Sequence, residues 1–275
     1  TRMAGDGLRV LAVASGTVRG TSESSLANLT FYGLLGLEDP PAEGVLETIE
    51  RLRTAGLRTV MLTGDQRLTA EAIGRRLGLL DRDQRAIDGR ELDRMSPDEL
   101  AAAIGQVAAF SRITPQHKLR IVQGLRARHE IVAMLGDGVN DAAALKQADV
   151  GVAMGIRGTD VAKQAAAIVL RDDRFDTIAA AVEEGRIIFD NIRKFVFYLF
   201  SCNVAEILVL LCAGLAGLPL PLLPLQLLWL NLVTDTFPAL ALAMEPAETD
   251  VMARPPRRPD EAILSGRFLA RIFGY

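Results

Sequence analysis

Short apolar runs and amphipathic runs alternate along the first two-thirds of the chain, and long uncharged stretches follow. LRVLAVAS (Leu8–Ser15) and LTFYGLLGL (Leu29–Leu37) read as strands. EGVLETIERLRTAG places Val45, Leu46, Ile49 and Leu52 on one helical face. The alternation continues: strands at 57–62, 107–111, 131–135, 150–154 and 167–170, helices at 69–79, 115–128, 140–148 and 159–166. Pro115 suits the first position of its helix. Alternation of this kind predicts an α/β, Rossmann-like fold, with a mostly parallel sheet covered on both faces. Ligands of such sheets bind beyond the C-terminal ends of the strands.

From about Phe175 the pattern changes. FDTIAAAVEEGRIIFDNIRKFVFYLF contains no proline and runs without a break into an apolar stretch. This predicts one long helix, its first span at 195–218, a turn at 219–221 within GLPLPLLP, and a second span at 222–244. Each span has about the ~20 residues that a hydrocarbon core requires. A transmembrane helical hairpin is therefore expected. Arg193 and Lys194 precede the first span, Arg254, Arg257 and Arg258 follow the second, and the turn carries no basic residue. The positive-inside rule puts both ends on the cytoplasmic side. The net charge of −3 gives no electrostatic case for nucleic acid. Cys202 and Cys212 would stand about 15 Å apart on one helix, too far for a disulfide.

Between Phe195 and Met244 only Glu206 and Asp235 are charged. An acid at the membrane centre costs at least ~2.5 kcal/mol on insertion scales, so something must offset it. Asn203 and Glu206 are three apart, and Asn231, Thr234 and Asp235 are spaced i, i+3, i+4, so each set lies on one helix face. Two carboxylates, two amides and a hydroxyl are the oxygen ligands that Ca²⁺ prefers. The same oxygens suit Mn²⁺, Na⁺ or K⁺ better than soft Cu⁺ or Zn²⁺. Pro238 removes one backbone hydrogen bond nearby. Cys202, beside Asn203 in sequence, is expected to point elsewhere.

Phosphate chemistry is suggested by two strands that end in Gly-Asp: VMLTGD at Asp65, and VAMLGDGVND through Asp137, Asn140 and Asp141. Carboxylates at strand ends can hold Mg²⁺, which takes one or two of them. Gly136 and Gly138 allow close approach of backbone to a phosphate. Thr63 offers a hydroxyl, and Lys118 a positive charge for a developing transition state. GDG alone is often a simple turn; its combination with TGD and an intervening lysine is far more specific. His117 and His129 are expected at the surface, since nothing pairs them with Ser or Cys.

DPP (Asp39–Pro41), MLTGD, TPQHK (Thr114–Lys118), MLGDGVNDAAAL (Met134–Leu145), TDVAKQAA, VEEGRIIFDNIRKF and LQLLWLNLVTD occur in this order over almost the whole chain. In them the chain resembles the P-type cation-transporting ATPases, of the haloacid-dehalogenase-like superfamily, and most of all their calcium-type branch. The resemblance implies an ATP-driven ion pump working through an aspartyl-phosphate, with Mg²⁺ as cofactor and ATP as substrate. Thr63, Gly64 and Asp65 would form part of the phosphate site and Lys118 would contact the phosphoryl group. Asp137 would bind Mg²⁺ together with Asp141, with Asn140 in support, and Asp39 and Pro40 would be hinge residues. Ala42 stands where the family often has Arg. Asn203, Glu206, Asn231, Thr234 and Asp235 match transported-cation ligands.

The resemblance also implies boundaries: 1–28 the end of a nucleotide-binding domain, 29–180 the C-terminal part of the phosphorylation domain, 181–194 a stalk, 245–267 a cytoplasmic loop, and 268–275 the start of a further span. The DKTGT nucleophile motif is absent from these 275 residues. The expectation is an incomplete phosphorylation domain, inactive alone, whose partners are the remaining parts of the same pump, the lipid bilayer and a cation, Ca²⁺ foremost. Two other classes stay open: a membrane-anchored Mg²⁺-dependent phosphatase, which has no use for acids in its spans, and a non-catalytic membrane module.

Overall fold

A computed structural model describes residues 3, 7–16, 29–38, 40–258 and 263. Asp39 and the expected further span at 268–275 lie outside them. The chain divides into two units, Thr1–Arg53 with Leu57–Thr177, and Thr54–Gly56 with Ile178–Tyr275.

In the first unit, β1 (Arg9–Ser15) and β2 (Thr30–Leu37) pair antiparallel, with a shift of register between Val13 and Ala14. Consecutive strand residues point to opposite faces, yet Leu34 and Leu35 are 52% and 54% exposed. Both faces of this hairpin are largely exposed among the described residues. After α1 (Val45–Thr54) the chain forms β3 (Met61–Leu62), α2 (Arg67–Arg76), β4 (Ile87–Asp88), α3 (Gly89–Leu92), α4 (Pro97–Ile104), β5 (Ala109–Ser111) and α5 (Pro115–Ala127). Then come β6 (Ala133–Gly136), a 3₁₀ turn (Val139–Asp141), α6 (Ala142–Gln147), β7 (Val150–Met154), α7 (Asp160–Ala165) and β8 (Ile168–Leu170).

The parallel strands form two sheets, β3–β5–β4 and β6–β7–β8, where the sequence predicts one. The predicted strand at 57–62 pairs only at Met61 and Leu62, because its neighbour β5 offers just three residues to the ladder. One core nevertheless spans both sheets: Phe110 of β5, Ile104 of α4, Ile121 and Val122 of α5 and Leu145 of α6 are fully buried and belong to one cluster with Met134 and Ala153. The helices begin on strong signals. Ser96 and Glu99 close a capping box ahead of α4, Thr114 caps α5 with Pro115 in its first turn, and Thr159 caps α7.

The second unit is built on α8, a single helix of 40 residues from Asp176 to Leu215, about 60 Å long at 1.5 Å per residue. It ends three residues before the predicted limit at 218. Gly217 takes a left-handed conformation (φ 68°) and the amide of Leu218 turns back to Ala213 O at 2.9 Å. The return segment consists of α9 (Pro224–Trp229), a π-turn (Leu230–Thr234) and α10 (Thr236–Ala243). A regular helix is predicted here. Pro238 has no N–H to give Thr234 O, and the preceding turn widens so that the amide of Asp235 reaches Leu230 O at 3.0 Å. By length and composition these are two helices able to cross a membrane.

Beyond the hairpin, residues 245–258 fold back along α8. Asn191, buried, donates through Nδ2 to Ala243 O (3.3 Å) and Glu245 O (2.8 Å). Lys194 pairs with Glu245 (2.6 Å) and Glu248 (3.0 Å). Arg186 donates to the carbonyls of Val251, Arg254 and Ala55 at 2.6–2.9 Å. Arg254 pairs with Asp190 (2.7 Å), and Arg257 lies over the Phe189 ring at 4.0 Å. Arg254 and Arg257, expected simply to flank the span, are thus structural fasteners.

Candidate functional site

The TGD turn follows β3. Thr63 takes a backbone bond from its own amide to Phe110 O (3.0 Å), and its Oγ1 donates to Asp65 Oδ2 (2.9 Å) while accepting from the Asp65 amide (3.1 Å). The next strand-to-helix turn is tied to it: Arg112 N donates to Asp65 O (2.9 Å) and Ile113 N to Thr63 O (3.0 Å). Above Gly64 the space is open, since an added Cβ would meet nothing within 4 Å. A phosphate oxygen has room there.

Lys118, in the first turn of α5, is half-buried and its Nζ donates to Asp141 Oδ1 at 2.5 Å. Asp141 is buried, and its other oxygen accepts from the amides of Asp137 and Gly138, both at 3.3 Å. Gly136 is required for this packing: a Cβ there would lie 2.4 Å from Asp141 Cβ. Asp137 and Asn140 are exposed, and the Asp137 carboxylate makes no hydrogen bond or ion pair among the described residues. Thr63 and Asp65 are joined to one another, Lys118 to Asp141, and the stretch Arg112–Lys118 connects the two pairs. No direct bond joins Asp65 to Asp137 or Asp141 among the described residues. Pro40 is exposed and far in sequence from every one of these groups.

Fitted to this geometry, Asp137 has the free carboxylate that Mg²⁺ needs. Asp141 has both oxygens engaged and serves the loop and Lys118. No cluster of three His, Cys, Asp or Glu residues able to hold a metal occurs among the described residues, so a metal at this loop would rest on one or two carboxylates and on other oxygens. His117 departs from expectation: it is 6% exposed, not a surface residue. A Thr-x-x-His sequence does not read as a capping box, though here the imidazole closes one.

In the hairpin, Asn231 Nδ2 donates to Glu206 Oε2 at 2.9 Å, across from one helix to the other. Asp235 is 5% exposed, and its Oδ2 has no hydrogen-bond partner among the described residues. Cys202 stands against Asp235 and within reach of the Glu206 charge, so it borders this cluster and does not point away from it. Asn203 and Thr234 are exposed; Asn203 Nδ2 donates to Leu199 O of its own helix (2.7 Å). The structure bonds Glu206 to Asn231 and sets Asp235 against Cys202, four residues before Glu206 on α8, while Asn203 and Thr234 are exposed. A buried carboxylate oxygen is costly without a donor, and a cation is one kind of partner that can satisfy it.

The first unit is thus an α/β domain with a Thr-Gly-Asp turn, a lysine and an aspartate-rich loop at its strand ends, followed in the chain by apolar helices. Family models described as haloacid dehalogenase-like hydrolase match residues 10–149, just over half of the chain, and 119–182. A model for the C-terminus of cation transporting ATPases matches residues 219–275. The chain belongs to the haloacid dehalogenase-like hydrolases. It is 49% identical over 267 residues to a calcium-transporting ATPase of Bacillus subtilis (strain 168), covering 96% of this chain and 30% of the relative. Calcium-transporting ATPase 1 of Bacillus cereus is 51% identical over 246 residues (90% of this chain, 28% of the relative). Human calcium-transporting ATPase type 2C member 1 is 44% identical over 271 residues (98% and 29%). The chain therefore spans about 30% of the length of the curated relatives it matches.

Proposed function

We propose that the protein containing this chain is an ATP-driven Ca²⁺ pump, in which these residues supply the lysine and aspartate side of the phosphoryl pocket and part of the cation path. The observation that carries the reading is Asp235: a buried carboxylate, one oxygen without a partner among the described residues, on the apolar segment that also carries Asn231, the partner of Glu206. Glu206, Asn231 and Asp235 form the core of the cation site. Asn203 and Thr234 complete it from the same two segments, together with oxygens from parts of the pump outside this chain.

In the phosphoryl pocket, the Gly64 amide receives a phosphate oxygen, and Thr63 shapes the turn around it, its hydroxyl donating to Asp65 and its amide to Phe110 O. Lys118 places its charge against the phosphoryl group, held in line by Asp141. Asp137 would hold Mg²⁺, with Asn140 beside it, and the ion would supply positive charge against the phosphate. The nucleophilic Asp and most of the nucleotide-binding surface belong to the remainder of the pump, and Asp39 and Pro40 act as hinge residues between those parts. The pocket faces the cytoplasm, as do both ends of the hairpin. Because α8 carries Glu206 and is unbroken over its whole length, its tilt or shift changes oxygen geometry at the cation site.

ATP-driven uptake of ⁴⁵Ca²⁺ into vesicles holding the full-length protein tests this. Uptake lost in Glu206→Gln and Asp235→Asn, together with Ca²⁺-dependent phosphorylation from ATP, supports it. Unchanged phosphatase turnover in both variants, with no uptake in the wild type, favours a membrane-anchored phosphatase instead.

A further inference from the structure

Lys118 sits one residue beyond a histidine that does unusual work. A helix-capping box normally takes Glu or Gln at its third position. In α5 that position is His117. Its Nδ1 accepts from the Thr114 amide at 3.2 Å, while its own amide donates to Thr114 Oγ1 at 3.4 Å. A backbone amide can only donate, so Nδ1 presents its lone pair and the ring proton is on Nε2. That nitrogen donates to Asp93 Oδ1, just past the end of α3, at 2.7 Å. A Glu or Gln would satisfy the cap and offer no aromatic N–H to the neighbouring element. The imidazole does both.

The surroundings are shaped to the ring. Gly89, opening α3, lies against it: a Cβ there would stand 2.9 Å from His117 Cε1 and 2.5 Å from Arg112 O. Arg112 takes a left-handed conformation (φ 51°), and its amide is the one bonded to Asp65 O. One turn along α5, Arg120 donates to Leu92 O (3.1 Å) and Met95 O (2.7 Å). The first two turns of α5 are thus fastened to the segment 89–95 at His117 and again at Arg120, and Lys118 projects to Asp141 from between them.

We propose that His117 is a positioning residue for Lys118: its ring locks the first turn of α5 to Asp93, and so sets where the lysine ammonium meets phosphate. This rests on the reading of Lys118 as the phosphoryl contact. Asp93 is the useful handle, because its side chain is 62% exposed and its replacement leaves the core intact.

The test uses the full-length pump and inhibition by orthovanadate, a phosphate analogue. Loss of one or two hydrogen bonds of ordinary strength corresponds to about three- to tenfold. His117→Ala is expected to weaken vanadate about tenfold and Asp93→Ala about threefold. Asp93→Asn, which keeps an acceptor for Nε2–H, is expected to remain within twofold of wild type. ATP affinity should stay within twofold throughout. On a Lys118→Ala background, His117→Ala and Asp93→Ala should add nothing further. The same factor on both backgrounds, or an Asp93→Asn as weak as Asp93→Ala, overturns the proposal. If Lys118→Ala itself leaves vanadate affinity unchanged, the assignment of the phosphoryl site fails, and this inference with it.

Discussion

Replacing Asp235 by Asn separates what stabilises the hairpin from what makes it work. Asp235 is buried, and one of its oxygens has no hydrogen-bond partner among the described residues. A charged acid at mid-helix costs about 2.5–3.5 kcal/mol on insertion scales, and an unsatisfied buried polar atom about 1–3 kcal/mol. These overlap, so about 2–3 kcal/mol is the reasonable total. Asn has nearly the same shape and no charge, so the cation-free variant should be the more stable protein. Ca²⁺ at 100 times its Kd stabilises the wild type by about 2.7 kcal/mol, and the variant should gain little. In EGTA, Asp235→Asn should therefore melt above wild type, and saturating Ca²⁺ should close the gap. The assay is thermal unfolding of the full-length protein in detergent, with and without Ca²⁺. A variant that melts below wild type in EGTA, or that keeps the full Ca²⁺ shift, refutes the reasoning.

Gly136→Ala would drive a methyl into Asp141; overpacking of this kind costs about 1–3 kcal/mol, and the displaced Lys118–Asp141 pair should reduce phosphorylation from inorganic phosphate at least tenfold. Removing Mg²⁺ with EDTA should abolish the same phosphorylation reversibly, and Asp137→Ala should raise the Mg²⁺ requirement more than Asn140→Ala. Asn191→Leu leaves the carbonyls of Ala243 and Glu245 without their donor, at about 1–3 kcal/mol; limited proteolysis of the full-length pump should then cut within 245–258 faster than in wild type. A flexible Gly-rich insertion near Ile192 should leave ATP hydrolysis in place and lower the Ca²⁺ carried per ATP, measured by uptake and phosphate release together.

The parts of this molecule with strong local chemistry were the legible ones. Pro115 behind Thr114, the uncharged stretch from Phe195, and the glycines of GDG each specify a conformation almost by themselves. The segment 81–105 was not legible: DRDQRAIDGRELDRM is dense in charge, and its strand β4 is only two residues long. Ser96-Pro97-Asp98-Glu99 was the available signal there, a capping box that announces α4. The π-turn was invisible to helical spacing, because Asn231, Thr234 and Asp235 are counted on a regular helix; the widened turn buries Asp235 and leaves Thr234 exposed. His117 was misjudged because its burial depends on Gly89 and Asp93, which lie 24–28 residues away in sequence. The Glu206–Asn231 bond was foreseeable as two facing polar sets, though not which members would meet.

The fold-back of residues 245–258 along α8 has a mechanical result. Both ends of the return segment are attached to the same rod, covalently at the tip and through Arg186, Asn191, Lys194 and Asp190 at the base. Such a closed frame cannot splay like a pair of tweezers. Any displacement of the rod hauls its companion along, so the two acids travel as one jaw and the cation must be released by what moves against them.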